Sequence, residues 1–283
     1  MKQVSNFQAV LAGALMLILA GCTAPGDNSP NGQAGPGGTG DFPGGEIVDL
    51  SYAYNDSTVF WPTAGEFELT VDSEGMTEAG HFYSANSFSM AEHGGTHLDA
   101  PYHFYEEGIT MDQIPPEQLM GEGIVVDVSD SALANPDYRV QISDFQAWEQ
   151  ENGQIPAGAI VIVRTGYGQF WPDRERYMGT AERGPDAVAD LHFPGLHPEA
   201  AEWLTSERDI KMLGLDTPSL DYGQSTDFRS HVILASHDIA GLENLANLER
   251  LPSQGFRVIA LPMKIEGGSG GPVRVLAILH DTE

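Results

Sequence analysis

Three imidazoles and a carboxylate fall within eleven residues, His93-Gly94-Gly95-Thr96-His97-Leu98-Asp99-Ala100-Pro101-Tyr102-His103, spaced H-x3-H-x-D-x3-H. Any fold that carries this stretch must let those side chains converge or leave them idle in water. His93 and His97, at i and i+4, would share one face of a helix, as in a zinc-protease helix. Gly94 and Gly95 between them and Pro101 beyond oppose that. The stretch therefore predicts a glycine-rich loop leaving a strand, with glycine allowing the sharp turn. Imidazole and carboxylate without thiolate form a ligand set for zinc, manganese or iron. A lone histidine would be read as a solvated polar residue, whereas a fourfold cluster points to a metal site.

The string H-G-G-T-H-L-D-A-P-Y-H resembles the H-x-G-T-H-x-D-x-P-x-H signature of the cyclase family of metal-dependent hydrolases, which includes bacterial kynurenine formamidase and isatin hydrolase. The resemblance covers most of Glu46 to Leu279. The tether and lipobox described below lie outside it, and so is expected to lie the insert-like Phe170–Asp190 stretch. It implies an α/β fold of the swivelling β/β/α type, with an extensive mixed sheet and flanking helices in a single domain.

Downstream, His231 and Glu243 are twelve residues apart, the separation of a His and a Glu in formamidase-like relatives. On residue chemistry alone His237 would serve as well as His231. The resemblance implies that His93, His97 and Asp99 hold one metal, and that His231 and Glu243 hold a second, with Asp99 and Glu243 able to bridge. The metal expected is zinc, with manganese as the alternative, as one or two ions. His103 is expected to take and return protons, since a free imidazole titrates near pH ~6.5; a further metal ligand is the alternative. Trp61, in Phe60-Trp61-Pro62, is expected to wall a pocket for a flat aromatic substrate, or else to pack in the core. Tyr102 and Phe104 are pocket or packing. Asp216-Thr217-Pro218-Ser219 resembles a family segment near the site.

The activity implied is hydrolysis of an amide or cyclic amide, of the N-formyl aryl amine, isatin or lactone type, by metal-activated water. Two other classes compete: a non-catalytic envelope protein that binds metal or a small ligand, and a cyclase or dehydratase using the same metal. A binding protein needs ligands only, so a general acid/base at His103 separates the first from the rest.

The chain's start is read separately from its fold. Residues 1–21 have the pattern of a signal peptide: Lys2, an apolar run from Val10 to Ala20 too short to span a ~30 Å bilayer, and Leu19-Ala20-Gly21-Cys22 as a lipobox. Cys22 is the chain's single cysteine, so no internal disulfide and no cysteine metal site can form. Its expected fate is lipidation, placing the protein at the bacterial cell envelope and on a membrane only through that anchor. Cys22→Ala should move the protein from the membrane fraction to the soluble one; a wild-type protein found unacylated would remove the anchor. Residues 22–45, rich in Gly, Pro, Asn and Ser, read as a flexible tether. Gly35-Pro36-Gly37-Gly38-Thr39-Gly40 fits G-x-G-x-x-G, but no strand precedes it and no helix follows, so dinucleotide binding is rejected.

Residues 46–283, about 240, suffice for one domain with a full core. The formal charge of −28, from 41 acids against 13 bases, excludes a nucleic-acid partner, which needs a basic surface. The partners expected are a small aromatic substrate and, after the relatives, a second copy in a homodimer.

Strands are expected at Glu46–Ser51, Phe67–Val71 and His81–Met90 from alternation. Further strands are expected at Ile124–Val128, Ala159–Val163 and Ile210–Leu215 from apolar runs, and at Arg257–Leu261 and Val273–Leu279. Ser143-Asp144-Phe145-Gln146 reads as a capping box opening one helix, and Pro198 opens another. Gly267-Gly268-Ser269-Gly270-Gly271 fits the G-x-S-x-G nucleophile pattern, but Pro272 and a strand follow, so it reads as a hairpin loop.

Overall fold

The computed structural model describes residues 45–280. The expected signal segment, most of the tether and Cys22 lie outside the described residues. In chain order the elements are β1 (Ile47–Asp49), β2 (Glu68–Met76), β3 (Phe82–Ser89), β4 (His97–Asp99), β5 (Met120–Asp127), α1 (Ser129–Ala134), β6 (Arg139–Val140) and α2 (Ile142–Asn152). There follow β7 (Ile160–Arg164), α3 (Arg174–Met178), β8 (Gly195–Leu196), α4 (Pro198–Trp203), β9 (Met212–Leu215), α5 (Arg229–Ala235), β10 (Ala240–Glu243), β11 (Phe256–Pro262) and β12 (Gly270–Leu279). The expected mixed α/β domain is present, and every expected strand appears with bounds shifted by a few residues.

The main sheet runs β1-β12-β11-β5-β7-β9-β10-β4, and β4 also pairs with β12. That extra pairing closes a ring, β4-β12-β11-β5-β7-β9-β10, with β1 laid beside β12 further along. Neighbours from β5 to β10 are parallel and the rest antiparallel. Closure leaves a two-sided core. Ile160, Ile162, Met212, Leu242, Val258 and Val275 share one buried cluster inside the ring. Val161, Val163, Leu213 and Leu215 point the other way, onto Phe145 and Trp148 of α2 and Ala200, Ala201 and Leu204 around α4. Continuous apolar runs such as Ile160-Val161-Ile162-Val163 are what strands buried on both faces require. Each such side chain contributes about 1.5–3 kcal/mol on burial.

Two expectations need correction. His97–Asp99 is a strand, although the loop reading is right for Gly94 and Gly95. Gly95 has φ +57°, and a Cβ there would lie 2.6 Å from the Tyr54 ring, so the turn excludes a side chain. The helix expected at Ser143 is capped two residues earlier, with the Asp144 carboxylate accepting the Gln141 N–H at 2.7 Å. Asp144 is thus the third helical residue, not the second of a Ser143–Gln146 box. The insert-like Phe170–Asp190 stretch packs into the fold: Tyr177 is fully buried, and its hydroxyl donates to the Asn244 side chain at 2.9 Å. Pro198 does open α4, with the His197 ring accepting the Glu199 N–H at 3.2 Å.

Candidate metal centre

The register of β4 builds the site. Side chains two apart on a strand share a face, and residues directly opposite on a neighbouring strand share it too. His97 and Asp99 therefore point one way while Leu98, between them, enters the ring's core. On β10, Glu243 lies opposite His97 and Leu242 opposite Leu98. Glu243 thus comes to the same outer face. Helix α5 covers this face and brings His231 down onto it. The 3-10 turn Pro101–His103 brings His103.

Five side chains converge on one point. Asp99 Oδ1 lies 2.7 Å from His93 Nδ1 and 3.2 Å from His97 Nε2, and its Oδ2 lies 3.4 Å from His231 Nε2. Glu243 Oε2 lies 3.3 Å from His97 Nε2 and its Oε1 3.0 Å from His231 Nε2. His97, Asp99, His231 and Glu243 are all buried. His237, the competitor, sits at the C-terminal end of α5, where its ring is bonded to the Ile233 carbonyl at 2.9 Å.

Each of the three converging imidazoles has its outer nitrogen engaged. His97 Nδ1 faces the Gly95 carbonyl at 2.9 Å; a carbonyl only accepts, so Nδ1 carries the hydrogen and Nε2 keeps its lone pair. His231 Nδ1 lies 2.6 Å from Asp221 Oδ2, which assigns the same tautomer. His93 Nε2 lies 2.9 Å from Ser269 Oγ, whose hydroxyl donates to Glu92 Oε2 at 2.7 Å. Three free lone pairs then aim at two carboxylates. His97 Nε2 is buried and has no hydrogen-bond partner. An orphaned imidazole nitrogen facing two carboxylates is a metal-ligand geometry, and outward bonds of this kind fix ligand tautomer and orientation. One atom each of His97, Asp99 and Glu243 lies within 4.8 Å of the others, and so does one each of His93, Asp99 and His103. The nitrogen and oxygen donors fit a divalent transition metal.

The electrostatics agree. Without a metal the same carboxylates draw protons onto the imidazoles instead: burial pulls the His97 imidazolium down, yet the adjoining Asp99 and Glu243 carboxylates hold it up at about 9. Burial raises Asp99, but the charge of His93 and the hydrogen bonds from His231 and His93 hold its carboxyl well below the usual range. Burial and the Asp99 charge push Glu243 up. Two buried carboxylates this close favour a cation between them. Burial, with His93, His231 and His97 around it, lowers His103 to about 4 against the pull of Asp99, so its ring is neutral near pH 7. His103 stacks on His93 with centroids 3.7 Å apart and planes at 17°.

A cavity of about 280 Å³ opens above these groups. Its floor includes His93, His97, Asp99, His103, His231 and Glu243; its walls include Phe60, Trp61, Phe104, Pro218 and Phe228. Trp61 meets Phe193 and Phe228 edge-on, each at 6.3 Å. Of the pair left open, Phe104 lines the cavity and Tyr102 is exposed. Phe228 holds a left-handed backbone at φ +48°, a conformation costly for a bulky residue and met mostly at functional sites. Asp216 is not at the floor. It accepts from Thr165 and Gly166 and ties down the 165–168 loop, while Pro218 and Ser219 reach the cavity.

Asp221, Glu92 and Phe228 escaped sequence reasoning, and Ser269, read there only as part of a hairpin loop, stands behind His93. Asp221 accepts the Ser230 and His231 amides at 3.0 and 3.1 Å as well as the His231 ring, so it anchors α5 and its histidine together. Ser269 lies in the turn before β12, as the hairpin reading required. Gly270 beside it is obligatory, since a Cβ there would lie 2.4 Å from the His93 ring.

The chain matches the family model Cyclase, described as "Putative cyclase", over residues 48–222. That span includes His93 to His103 and Asp221 and stops before His231 and Glu243. Isatin hydrolase of Roseibium aggregatum is 35% identical over 209 residues, 71% of this chain and 76% of that one. Kynurenine formamidase of Salinibacter ruber is 30% identical over 236 residues, 83% and 97% of the two chains. The structure of isatin hydrolase A from Labrenzia aggregata bound to benzyl benzoate superposes with a TM-score of 0.75 at 32% identity, covering 83% of this chain and 94% of that one.

Proposed function

The chain belongs to the cyclase family, and from that premise we propose that it is a metal-dependent hydrolase opening a carbon–nitrogen bond in a small aromatic amide or cyclic amide. One observation carries the reading: three imidazoles, each fixed from behind, offer lone pairs to two buried carboxylates under an aromatic-walled cavity. His93, His97 and Asp99 would hold one ion, and Asp99, His231 and Glu243 a second where two are bound. A divalent cation there supplies polarisation of a carbonyl and activation of water near neutral pH.

The chain's own residues do the rest. Trp61, Phe104 and Phe228 exclude water and sandwich a flat ring, so that the scissile carbonyl meets the polar floor. His103, neutral and lining the cavity, accepts a proton from the attacking water at a ring nitrogen. It returns that proton to the leaving nitrogen as the C–N bond breaks. The products are a carboxylate and an amine, joined in one molecule when the substrate is cyclic.

The test is hydrolysis of a panel of formanilides, isatin-type cyclic amides, imides and lactones by purified protein, with metal analysis and removal of metal by a chelator. Turnover of at least one amide, abolished by the chelator and restored by zinc or manganese, is the expected result. Metal bound at full occupancy with no turnover across the panel would return the protein to the non-catalytic class.

The residues behind the ligands have their own signature. Asp221→Asn and Ser269→Ala should each weaken metal binding by ~10–100-fold, the usual effect of losing a group that orients a metal-bound histidine. Calorimetric titration of the metal-free protein measures this; unchanged affinity in both variants would remove the orienting role.

A further inference from the structure

The turn that follows β9, residues 216–220, is tied down on every side. The Thr217 carbonyl accepts the Asn244 N–H at 2.9 Å, and the Thr217 hydroxyl donates to the Ser219 carbonyl at 3.0 Å. The Leu220 N–H donates to Glu243 Oε1 at 2.9 Å, and the Leu220 carbonyl accepts the Leu196 N–H at 2.7 Å. Pro218 fixes its own φ. Ser219 is therefore held rigidly where it lines the cavity, 5% exposed. Its donors are nevertheless unspent. Among the described residues its hydroxyl makes no hydrogen bond, and its main-chain N–H has no acceptor. Buried donors nearly always have a partner, so two left over on one residue beside a cavity point to an acceptor that a ligand brings.

The rest of the cavity says which acceptor fits. Asn244 also lines it, but its amide is committed at both ends: Nδ2 donates to the Gly95 carbonyl at 2.8 Å and Oδ1 accepts the Tyr177 hydroxyl at 2.9 Å. Val59, Phe60, Trp61, Phe104 and Phe228 make the walls apolar. No lysine or arginine lines the cavity among the described residues. An anionic substituent would meet no counter-charge on those walls, so the acceptor at Ser219 is uncharged. Ser219 is also next in the chain to the amide that holds Glu243, which sets it at the edge of the polar floor. Its acceptor then belongs to an atom a few bonds from the group reacting there.

We propose that Ser219 is a substrate-binding residue, donating to a second, uncharged carbonyl that the substrate carries close to its scissile amide. A ketone beside the amide carbonyl in a ring, or on the aromatic carbon ortho to the amide nitrogen, meets that description. The inference rests on the amide chemistry proposed above and adds which amides are chosen. A site built to hydrogen-bond a substrate group discriminates against the analogue that lacks it, because its own donor is then left buried and unpaired. Apolar walls alone separate substrates far less sharply. The bond is made in bound substrate and transition state alike, so it belongs to KM more than to kcat.

N-(2-acetylphenyl)formamide and formanilide differ only by the acetyl group. In Ser219→Ala the ratio of their kcat/KM values should fall by about 10-fold from the wild-type ratio, the worth of one neutral hydrogen bond, with the change in KM. Comparing ratios cancels the intrinsic reactivity of the two amides. Ser219→Cys fills the same space with a weak donor and should lower the ratio as well. Metal content and the thermal transition should stay at wild type in both variants, since Thr217 and main-chain groups frame the turn. 2-Aminoacetophenone and aniline contain no scissile bond and give the same comparison by quenching of tryptophan fluorescence in the metal-loaded protein. The preference for the ketone should again fall about 10-fold in either variant. A protein that hydrolyses neither amide yet shows this binding preference would sink the hydrolytic reading and leave Ser219 its role. A preference unchanged in both variants would overturn the assignment. So would loss of metal together with the preference, which would make the hydroxyl part of the frame around Glu243.

Discussion

Asp99→Ala should empty the site of metal and lower kcat/KM by at least ~10⁴-fold, the scale seen when one member of a unit that acts together is removed. Asp99 is the one group in reach of three imidazoles, at 2.7, 3.2 and 3.4 Å. Its loss leaves Glu243 alone to balance a cation. His97→Ala should do the same by removing the orphaned Nε2 between the two carboxylates. The double variant should be no worse than either single one, because a site without metal has nothing further to lose. Metal analysis beside steady-state kinetics checks this. Either single variant retaining a full metal complement would show that the ligand set is wrong.

His103→Ala should separate chemistry from metal binding. Its ring stacks on His93 and makes no hydrogen bond to either carboxylate among the described residues. Metal content and folding should therefore stay near wild type while kcat falls by ~10²–10⁴-fold, the usual contribution of general acid–base catalysis. KM should change little, since the lost contact matters mainly in the transition state. The deficit should shrink for amides with more acidic leaving nitrogens, which need less protonation on departure. A variant that has lost its metal would make His103 a ligand, and one with undiminished turnover would take it out of the mechanism.

What the sequence made legible was local. The motif from His93 to His103 and the pairing of His231 with Glu243 could be read because their residues recur at fixed spacing, and the buried strands because an apolar run reports burial on both faces. What stayed hidden depends on contacts distant in sequence. Asp221 and Ser269 are ordinary surface residues by composition; only folding sets one behind His231 and the other behind His93. Strand β4 was hidden by its length, since three residues flanked by glycine and proline carry the signature of a loop. The helix cap was misplaced because Ser143 is an intrinsically better cap than Gln141, while the Asp144 carboxylate chose the earlier turn. Alternation in β2 and β3 was read correctly as a strand signal, but it could not say that the apolar face is left uncovered among the described residues.

The ring of strands has a consequence for the order in which this protein comes into being. Strand β4, with His97 and Asp99, is held on one side by β10 and on the other by residues 270–272 of β12, at the far end of the chain. The His93 loop rests on the same late segment through Ser269. Contacts across so long a stretch cost loop-closure entropy before they return anything, and they form late. A growing chain therefore carries its signature for most of its synthesis with no centre to load. A chain cut after Pro262 would keep all five converging side chains and lack the strand that locks them. Loading of the proposed centre then belongs to the finished molecule, because only there does β12 hold His97 and Asp99 in place.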